Sequence, residues 1–467
     1  MDDDEASTAA ERGTGSGRVL VRAGTVVDAS GVDASPGGLL LEGRRVLAAG
    51  ELPTIGEVAD ATVLDRPFSA VVPGLVNAHA HLDLSHVEPI PGGGDFTAWI
   101  AAIRQARHPD DASIARSVRR GIALSLAGGT VAVGDVAGAG SPVPTAELRR
   151  SPLAGVSYRE VFGVGARQAD AAAAIAALAE EVRVAEAGAA ADDAVRRMRQ
   201  GVSPHAPYSC GPRAYAAAAA SDLPVATHLA ETVEELDFVS EGGGRFEAFL
   251  REIGAWDDSV AAGPDAMAAT GRHAVDVVLE AIARGRGAAD REARPEPGAG
   301  RAGGAGTSGR APILAAHGNY LRPDDPGRLA AAGVGVVYCP RASSWFRHPV
   351  AGRPPHPWRD LVRAGVLVCL GTDGRPCLDT EDRISVLDEM RFLVRRDRVA
   401  AREVLPLATT AGARGLGLDP DWLTFRPGAI LGVIALPADP AIHGDRLEAA
   451  MRTTDAPEWI LDPTWPA

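Results

Sequence analysis

Eight short apolar runs, each leading into a longer stretch of different periodicity, dominate the chain between residues 70 and 371. The runs fall at 70–78, 130–136, 155–162, 200–206, 224–229, 312–317, 334–339 and 366–371. Segments such as 97–127, 168–188 and 381–397 carry Ala, Leu and Arg at helical spacing. Apolar runs separated by helices are the pattern of parallel strands covered on both faces. Eight of them predict a closed (β/α)8 TIM barrel of the α/β class over 70–418. An open doubly wound sheet is the competing arrangement, but no G-x-G-x-x-G follows the first run.

The flanks differ. Residues 1–17 (MDDDEASTAAERGTGSG) read as a disordered acidic tail. From 18 to 69, short β-rich runs broken by Gly, Pro and Asp predict a small antiparallel unit. The low-complexity stretch from Ala288 to Arg310 reads as a flexible surface insertion in the barrel.

In a barrel of this kind the C-terminal ends of the strands build the active site. Five of the eleven histidines fall at those ends, more than scatter would place there. His79 and His81 end the first strand, His205 the fourth, His228 the fifth and His317 the sixth; Glu231 follows His228, and Asp373 ends the eighth. Histidines at i and i+2 of a strand face the same way. With one more His and one Asp they make a His3Asp shell with room for water, a set that suits Zn2+ or Fe2+. Such a metal lowers the pKa of water towards ~7 and makes a hydroxide nucleophile. Asp373 can accept the water's proton, Glu231 can protonate a ring nitrogen, and His317 can orient the nucleophile. Taken alone, Glu231 is equally a helix N-terminal glutamate favoured by the macrodipole.

Composition removes other chemistries. Acidic residues outnumber basic ones, 61 to 47, giving a net charge of −14, which disfavours nucleic-acid binding. There is no lysine, hence no Schiff-base lysine, no P-loop and no lysine bridging two metals. Cys210, Cys339, Cys369 and Cys377 form no C-x-x-C pair, and no secretory run or 18-residue apolar span occurs. A reducing cytoplasm without membrane attachment is therefore the expectation. Cys210 and Cys339 lie near the mouth without a histidine base beside them, and the H-x-E/P-C-x-x-C cytidine-deaminase signature is absent. His86, His108, His273, His356 and His443 read as structural or surface residues. Arg341, Trp345, Phe346 and His348 follow the seventh strand and are candidates to line a pocket for a flat base, with loop packing the alternative for the two aromatic residues. Asparagine occurs only as Asn77 and Asn319, each two residues from a site histidine, a sign that local chemistry retains them.

The segments PGLVNAHAHLDLS, GVSPHAPYS, THLAETVEE, AHGNYL, VVYCPRA and CLGTDG resemble the amidohydrolase superfamily. Its deaminase branch, which includes S-adenosylhomocysteine/methylthioadenosine and aminodeoxyfutalosine deaminases and triazine hydrolases, is the nearer likeness. The aminodeoxyfutalosine group is nearest, through HAHLDLS, AHGNYL, CPRASSWF and HPWRDL. The likeness implies a β-sandwich built from residues 18–69 plus 419–467. It implies metal ligands at His79, His81, His228 and Asp373, a proton-shuttling Glu231, a second-sphere His317 and a substrate-side His205; Arg341 and Trp345, by their place after the seventh strand, are the further substrate-side candidates. It further implies one divalent ion, zinc first and iron second, a small heterocyclic substrate, a homodimer, and deamination of an adenine-type nucleoside such as aminodeoxyfutalosine, 5′-deoxyadenosine, methylthioadenosine or S-adenosylhomocysteine. The same site acting on guanine, cytosine, a chlorotriazine or an imidazolone is the alternative, and an inactive scaffold is another, for which a complete His3Asp set has no use. Gly374 and the Arg375-Pro376-Cys377 insert depart from the GTDS…SN of relatives and bear on substrate choice.

Overall fold

The computed structural model describes residues 17–187, 198–292, 310–442 and 444–464. Its chain divides into two units, one of residues 74–420 and one joining 1–73 to 421–467. In the larger unit eight parallel strands follow one another around a ring: β1 Leu75–His81, β2 Thr130–Ala137, β3 Ala154–Val161, β4 Met198–Pro204, β5 Val225–Leu229, β6 Ile313–His317, β7 Val334–Tyr338 and β8 Val368–Leu370. The chain itself closes the ring. Just beyond β8, the Gly371 amide donates to the Tyr338 carbonyl on one side and the Thr372 amide to the His79 carbonyl on the other, both at 3.0 Å. Asp373–Gly374 then pairs in parallel with Ala80 and His81. Every residue of β1, β2, β5, β6, β7 and β8 is buried, which is why these strands read as unbroken apolar runs.

The helix Asp111–Ala127 illustrates how the outer layer is attached. Asp110 caps it by accepting from the Ser113 amide at 2.9 Å. Val118 and Ile122, four residues apart, pack in one cluster with Ala80 of β1, Leu82 just beyond it and Val133 of β2. At Gly121 a Cβ would lie 2.4 Å from Ser85 Oγ and 2.9 Å from Leu82 Cβ, so the helix approaches more closely than a side chain allows.

The apolar run at 70–78 is divided between two sheets. Residues up to Pro73 belong to Thr62–Pro73 of the second unit, and β1 begins at Leu75. Gly74 makes the passage, since a Cβ there would stand 2.3 Å from Val131 Cγ1. Hydrophobicity does not drop across this break, so pattern alone hides it. The first residues of the insertion expected at 288–310 belong to the helix Ala274–Glu292. Residues 293–309 of it, residues 1–16 of the tail expected over 1–17, and His443 lie outside the described residues.

The second unit is an eight-stranded sheet built from both chain ends. Arg18–Val27 pairs in parallel with Thr62–Pro73, and Val433–Pro437 adds antiparallel to the latter. Its core joins Val21, Leu39, Val46 and Val71 to Phe425, Ile430 and Leu461.

Candidate active site at the barrel mouth

Asn77, His79 and His81 alternate along β1 and therefore share one face. His81 Nε2 lies 3.3 Å from His228 Nε2 and 3.5 Å from Asp373 Oδ1, while His79 Nε2 lies 3.8 Å from the same carboxylate oxygen. Donor atoms of His79, His228 and His317 approach within 4.8 Å of one another, as do those of Glu231, His317 and Asp373. His79 Nε2 and His317 Nε2 are buried with no hydrogen-bond partner. Burial and the neighbouring imidazoles push His79 and His81 well below the usual histidine range, and His228 falls to about 4. Neutral, converging imidazoles beside a carboxylate are the form that binds a divalent cation, so the residues fit such an ion.

Hydrogen bonds hold the donors in place. His228 Nδ1–H donates to the His205 carbonyl at 2.9 Å, which leaves the Nε2 lone pair directed into the site. Asn77 clips the strand end to the segment carrying Asp373: its Nδ2 donates to Thr372 Oγ1 at 2.8 Å, and its Oδ1 accepts the Thr372 amide at 3.1 Å. Asn319 Nδ2 donates to the Glu231 carbonyl at 3.0 Å, and its Oδ1 accepts from Ser343. Both asparagines of the chain thus position the mouth. Ala230, His317 and Asp373 all adopt left-handed backbone, with φ of 51°, 72° and 63°. Such conformations cost about 1–3 kcal/mol each and concentrate where side chains must be aimed.

Glu231 Oε1 stands 3.5 Å from His317 Nε2. Burial first, then the carboxyls of Asp373 and Glu235, raise Glu231 well above the usual carboxylate range, which favours its protonated form. Burial raises Asp373 to about 6.

The other expected residues have other partners. His205 bonds Ser209 Oγ through Nδ1 at 2.7 Å, and its Nε2 lies 3.7 Å from Glu160 Oε1. Arg341 is buried and bonded to Asp379 and Thr380, and Trp345 Nε1 donates to the Ile90 carbonyl at 2.8 Å. Arg375 is also buried and ties the eighth-strand insert to the loop after β1, through the Val87 carbonyl and Glu88, each at 2.9 Å. His86 bonds Ser117 and the Ala106 carbonyl and stacks on His108 at 3.6 Å. All four cysteines are buried thiols.

Sequence reasoning passed over a second layer. Glu235 receives the amides of Ala230 and Glu231 at 2.8 and 3.1 Å. Asp135 accepts the Leu82 amide at 2.9 Å, Arg107 pairs with Asp83, and Glu160 accepts the Ala139 amide at 2.9 Å. One signal was available: Thr232-Val-Glu-Glu235 is a capping box, and Thr232 does accept the Glu235 amide.

The model of the amidohydrolase family matches residues 70–430. An aminodeoxyfutalosine deaminase of Deinococcus radiodurans is 30% identical over 375 residues, covering 77% of this chain and 76% of the relative. A 5-methylthioadenosine/S-adenosylhomocysteine deaminase of Natronomonas pharaonis is 27% identical over 415 residues, covering 84% and 80%. Among solved structures, Helicobacter pylori aminofutalosine deaminase in complex with methylthio-coformycin shares the fold with a TM-score of 0.67 at 15% identity, covering 96% of this chain and all, 100%, of that one. An adenosine deaminase from Xanthomonas campestris with bound zinc aligns with a TM-score of 0.64 at 20% identity, covering 96% and 94%. A closed barrel with His and Asp converging at its mouth, matched over most of its length by the family model, places the chain in the amidohydrolase family.

Proposed function

We propose that the protein is a metal-dependent aminohydrolase that releases ammonia from an adenine-type nucleoside. The observation that carries this reading is the convergence of His79, His81, His228 and Asp373 beside the Glu231–His317 pair, 3.5 Å apart, at the C-terminal mouth of the barrel. The deaminase relatives named above support the substrate class. His79, His81, His228 and Asp373 hold one divalent ion, zinc by the character of the donor set and by the zinc-bearing fold relative. When bound, that ion supplies a Lewis acid that makes water acidic enough to react at neutral pH.

The chain's own residues do the rest. Asp373 Oδ1, within 4 Å of His79 and His81, orients the attacking water. Glu231 enters with its carboxyl protonated and gives that proton to the ring nitrogen next to the carbon under attack. His317, kept neutral by burial, faces Glu231 and presents its unpartnered Nε2 to the same space. The oxygen of water bonds to carbon and the carbon–nitrogen bond breaks; one of the water's protons leaves with the amine nitrogen as ammonia, and the other restores the proton that Glu231 gave to the ring nitrogen. His205, Arg341 and Trp345 flank the substrate.

Elemental analysis together with ammonia release from 5′-substituted adenosines tests the reading. About one zinc per chain with release is the expected result. Metal without release from any adenosine refutes the substrate class, and a chlorotriazine, guanine and cytosine panel then identifies the replacement. Glu231→Gln should keep the metal and lose ~100-fold or more of turnover; near-normal turnover removes Glu231 from the mechanism.

A further inference from the structure

A cavity of about 800 Å³ opens in the helical layer outside the strand ring, with Tyr320, Arg353, Pro355, His356, Trp358 and Arg396 among its walls. It is not the mouth where the imidazoles converge. Tyr338, the last residue of β7, accepts from Arg396 of the helix Val386–Asp397 through its hydroxyl at 2.9 Å, and the His356 ring stacks on the Tyr338 ring at 3.7 Å. The bond that His356 makes towards the barrel runs from its Nε2 to the main-chain carbonyl of His317, at 2.7 Å, and not to a side chain of the mouth.

That bond assigns the imidazole. A carbonyl only accepts, so Nε2 carries the proton, and burial, which lowers the group to about 3, keeps the ring neutral. Nδ1 therefore holds a bare lone pair, and it is buried without a hydrogen-bond partner. A buried acceptor that lacks a donor is a cost that a bound N–H or O–H removes.

A second feature concerns the other end of the ligand. Residues 353–357 (Arg-Pro-Pro-His-Pro) form no regular element, and a residue followed by proline is held extended. At the roughly three residues per turn of that conformation, Arg353 and His356 fall on one side, about 9 Å apart along the segment. Other arginines of the cavity are neutralised: Arg359 pairs with Glu403 at 2.7 Å, Arg396 with Asp397 at 2.6 Å, Arg322 with Asp276 at 2.6 Å, and Arg363 with Asp360. Arg353 is exposed and pairs with no carboxylate among the described residues. Pro323, Pro355 and Trp358 add rigid, flat faces of the kind on which aromatic rings pack.

We propose that this cavity is an accessory ligand site, separate from the substrate's, for an aromatic acid: a flat ring whose O–H or N–H donates to His356 Nδ1 and whose carboxylate pairs with Arg353. The site stands whichever reaction the mouth catalyses.

Ligand-observed NMR titration of the zinc-loaded, full-length protein tests it with three probes of one shape. They are 4-hydroxyphenylacetate, 4-methoxyphenylacetate, which has no donor, and 4-hydroxyphenylethanol, which has no charge. The first should bind about fivefold more tightly than the methoxy probe and about threefold more tightly than the alcohol. Arg353→Gln, a change at an exposed side chain, should reduce the first probe to the level of the alcohol. His356→Phe should erase the preference for hydroxyl over methoxy. His356→Gln should keep it, since its amide can donate to the His317 carbonyl while its oxygen accepts from the ligand. Removing zinc with a chelator should leave all three affinities unchanged. Equal binding of the three probes, or binding of none, overturns the proposal. So does an affinity for 4-hydroxyphenylacetate that ignores Arg353→Gln, or one that disappears with zinc and so assigns the acid to the mouth. If His356→Phe does not fold, the Arg353→Gln and zinc comparisons still decide.

Discussion

Asn77 is fully buried and joins the strand end bearing two imidazoles to the segment bearing Asp373. In Asn77→Ala the Thr372 amide loses the weaker of its two acceptors, Asn77 Oδ1 at 3.1 Å, and keeps the His79 carbonyl at 3.0 Å, while the His79 amide loses a contact at 3.4 Å. The loss of the Nδ2–Oγ1 bond together with these two amide contacts should destabilise by roughly 2–3 kcal/mol. Thr372→Val is the calibrating partner. It removes Oγ1, which accepts from Asn77 Nδ2 at 2.8 Å, but leaves the amide clip in place, and should cost about 1–2 kcal/mol. The double variant should show a coupling near ~1 kcal/mol, the worth of that one side-chain bond. Urea unfolding of chelator-treated proteins reads the energies, and zinc per chain after re-addition reads the site. Asn77→Ala should be the worse variant in both. If it unfolds no earlier than Thr372→Val and binds zinc as well, the backbone clip does not position Asp373 and the argument fails.

Three further outcomes follow from particular contacts. Glu235→Gln turns an N–H towards the amides of Ala230 or Glu231, now accepted at 2.8 and 3.1 Å, and should lower kcat about tenfold with zinc content unchanged; an unaltered kcat means Glu231 needs no such brace. Gly371→Ala sets a Cβ 2.8 Å from His79 Cβ and should weaken zinc at least about tenfold in competition with a chelating dye, where unchanged affinity would count against His79 as a ligand. Asp135 is raised by burial from 3.8 to about 8, so the folded chain keeps a proton that the unfolded chain has lost. Its contribution to stability therefore falls by ~1.4 kcal/mol per pH unit between about pH 4 and 8. Asp135→Asn lacks that slope, so between pH 6 and 7.5 urea unfolding should move about 2 kcal/mol in the variant's favour; an equal difference at both pH values refutes it.

The barrel was legible because its strands are covered on both faces. Seven of the eight apolar runs coincide with strands to within two residues at their starts, from Thr130–Ala137 to Val368–Leu370. The exception is instructive. Thr62–Pro73 and β1 are separated only by Gly74, and both sides of that glycine are buried for reasons that belong to different sheets. Pattern registers burial and not the partner that causes it. The second unit suffers from the same limit, because the pairing of Thr62–Pro73 with Val433–Pro437 joins segments hundreds of residues apart.

The site divides along the same physical line. Residues that face an open space at a strand end announce themselves, since a histidine or aspartate closing an apolar run has no reason to be there for packing alone. His79, His81, His228, His317 and Asp373 are of this kind, and the structure brings them together. Residues whose partners are backbone amides do not announce themselves. Glu235 serves Ala230 and Glu231, and Asp135 serves Leu82, through bonds that depend on where the chain has already folded. Arg107 meets Asp83 and adds its field to Glu160 and Asp135 from the far end of another helix. His348 belongs with these. Its Nδ1 meets the hydroxyl of Tyr320, 28 residues away, at 2.8 Å, and its Nε2 is buried without a hydrogen-bond partner. Whatever distinguishes this chain's substrate from those of its relatives is therefore to be sought among such indirectly placed groups rather than among the His and Asp donors that converge at the mouth.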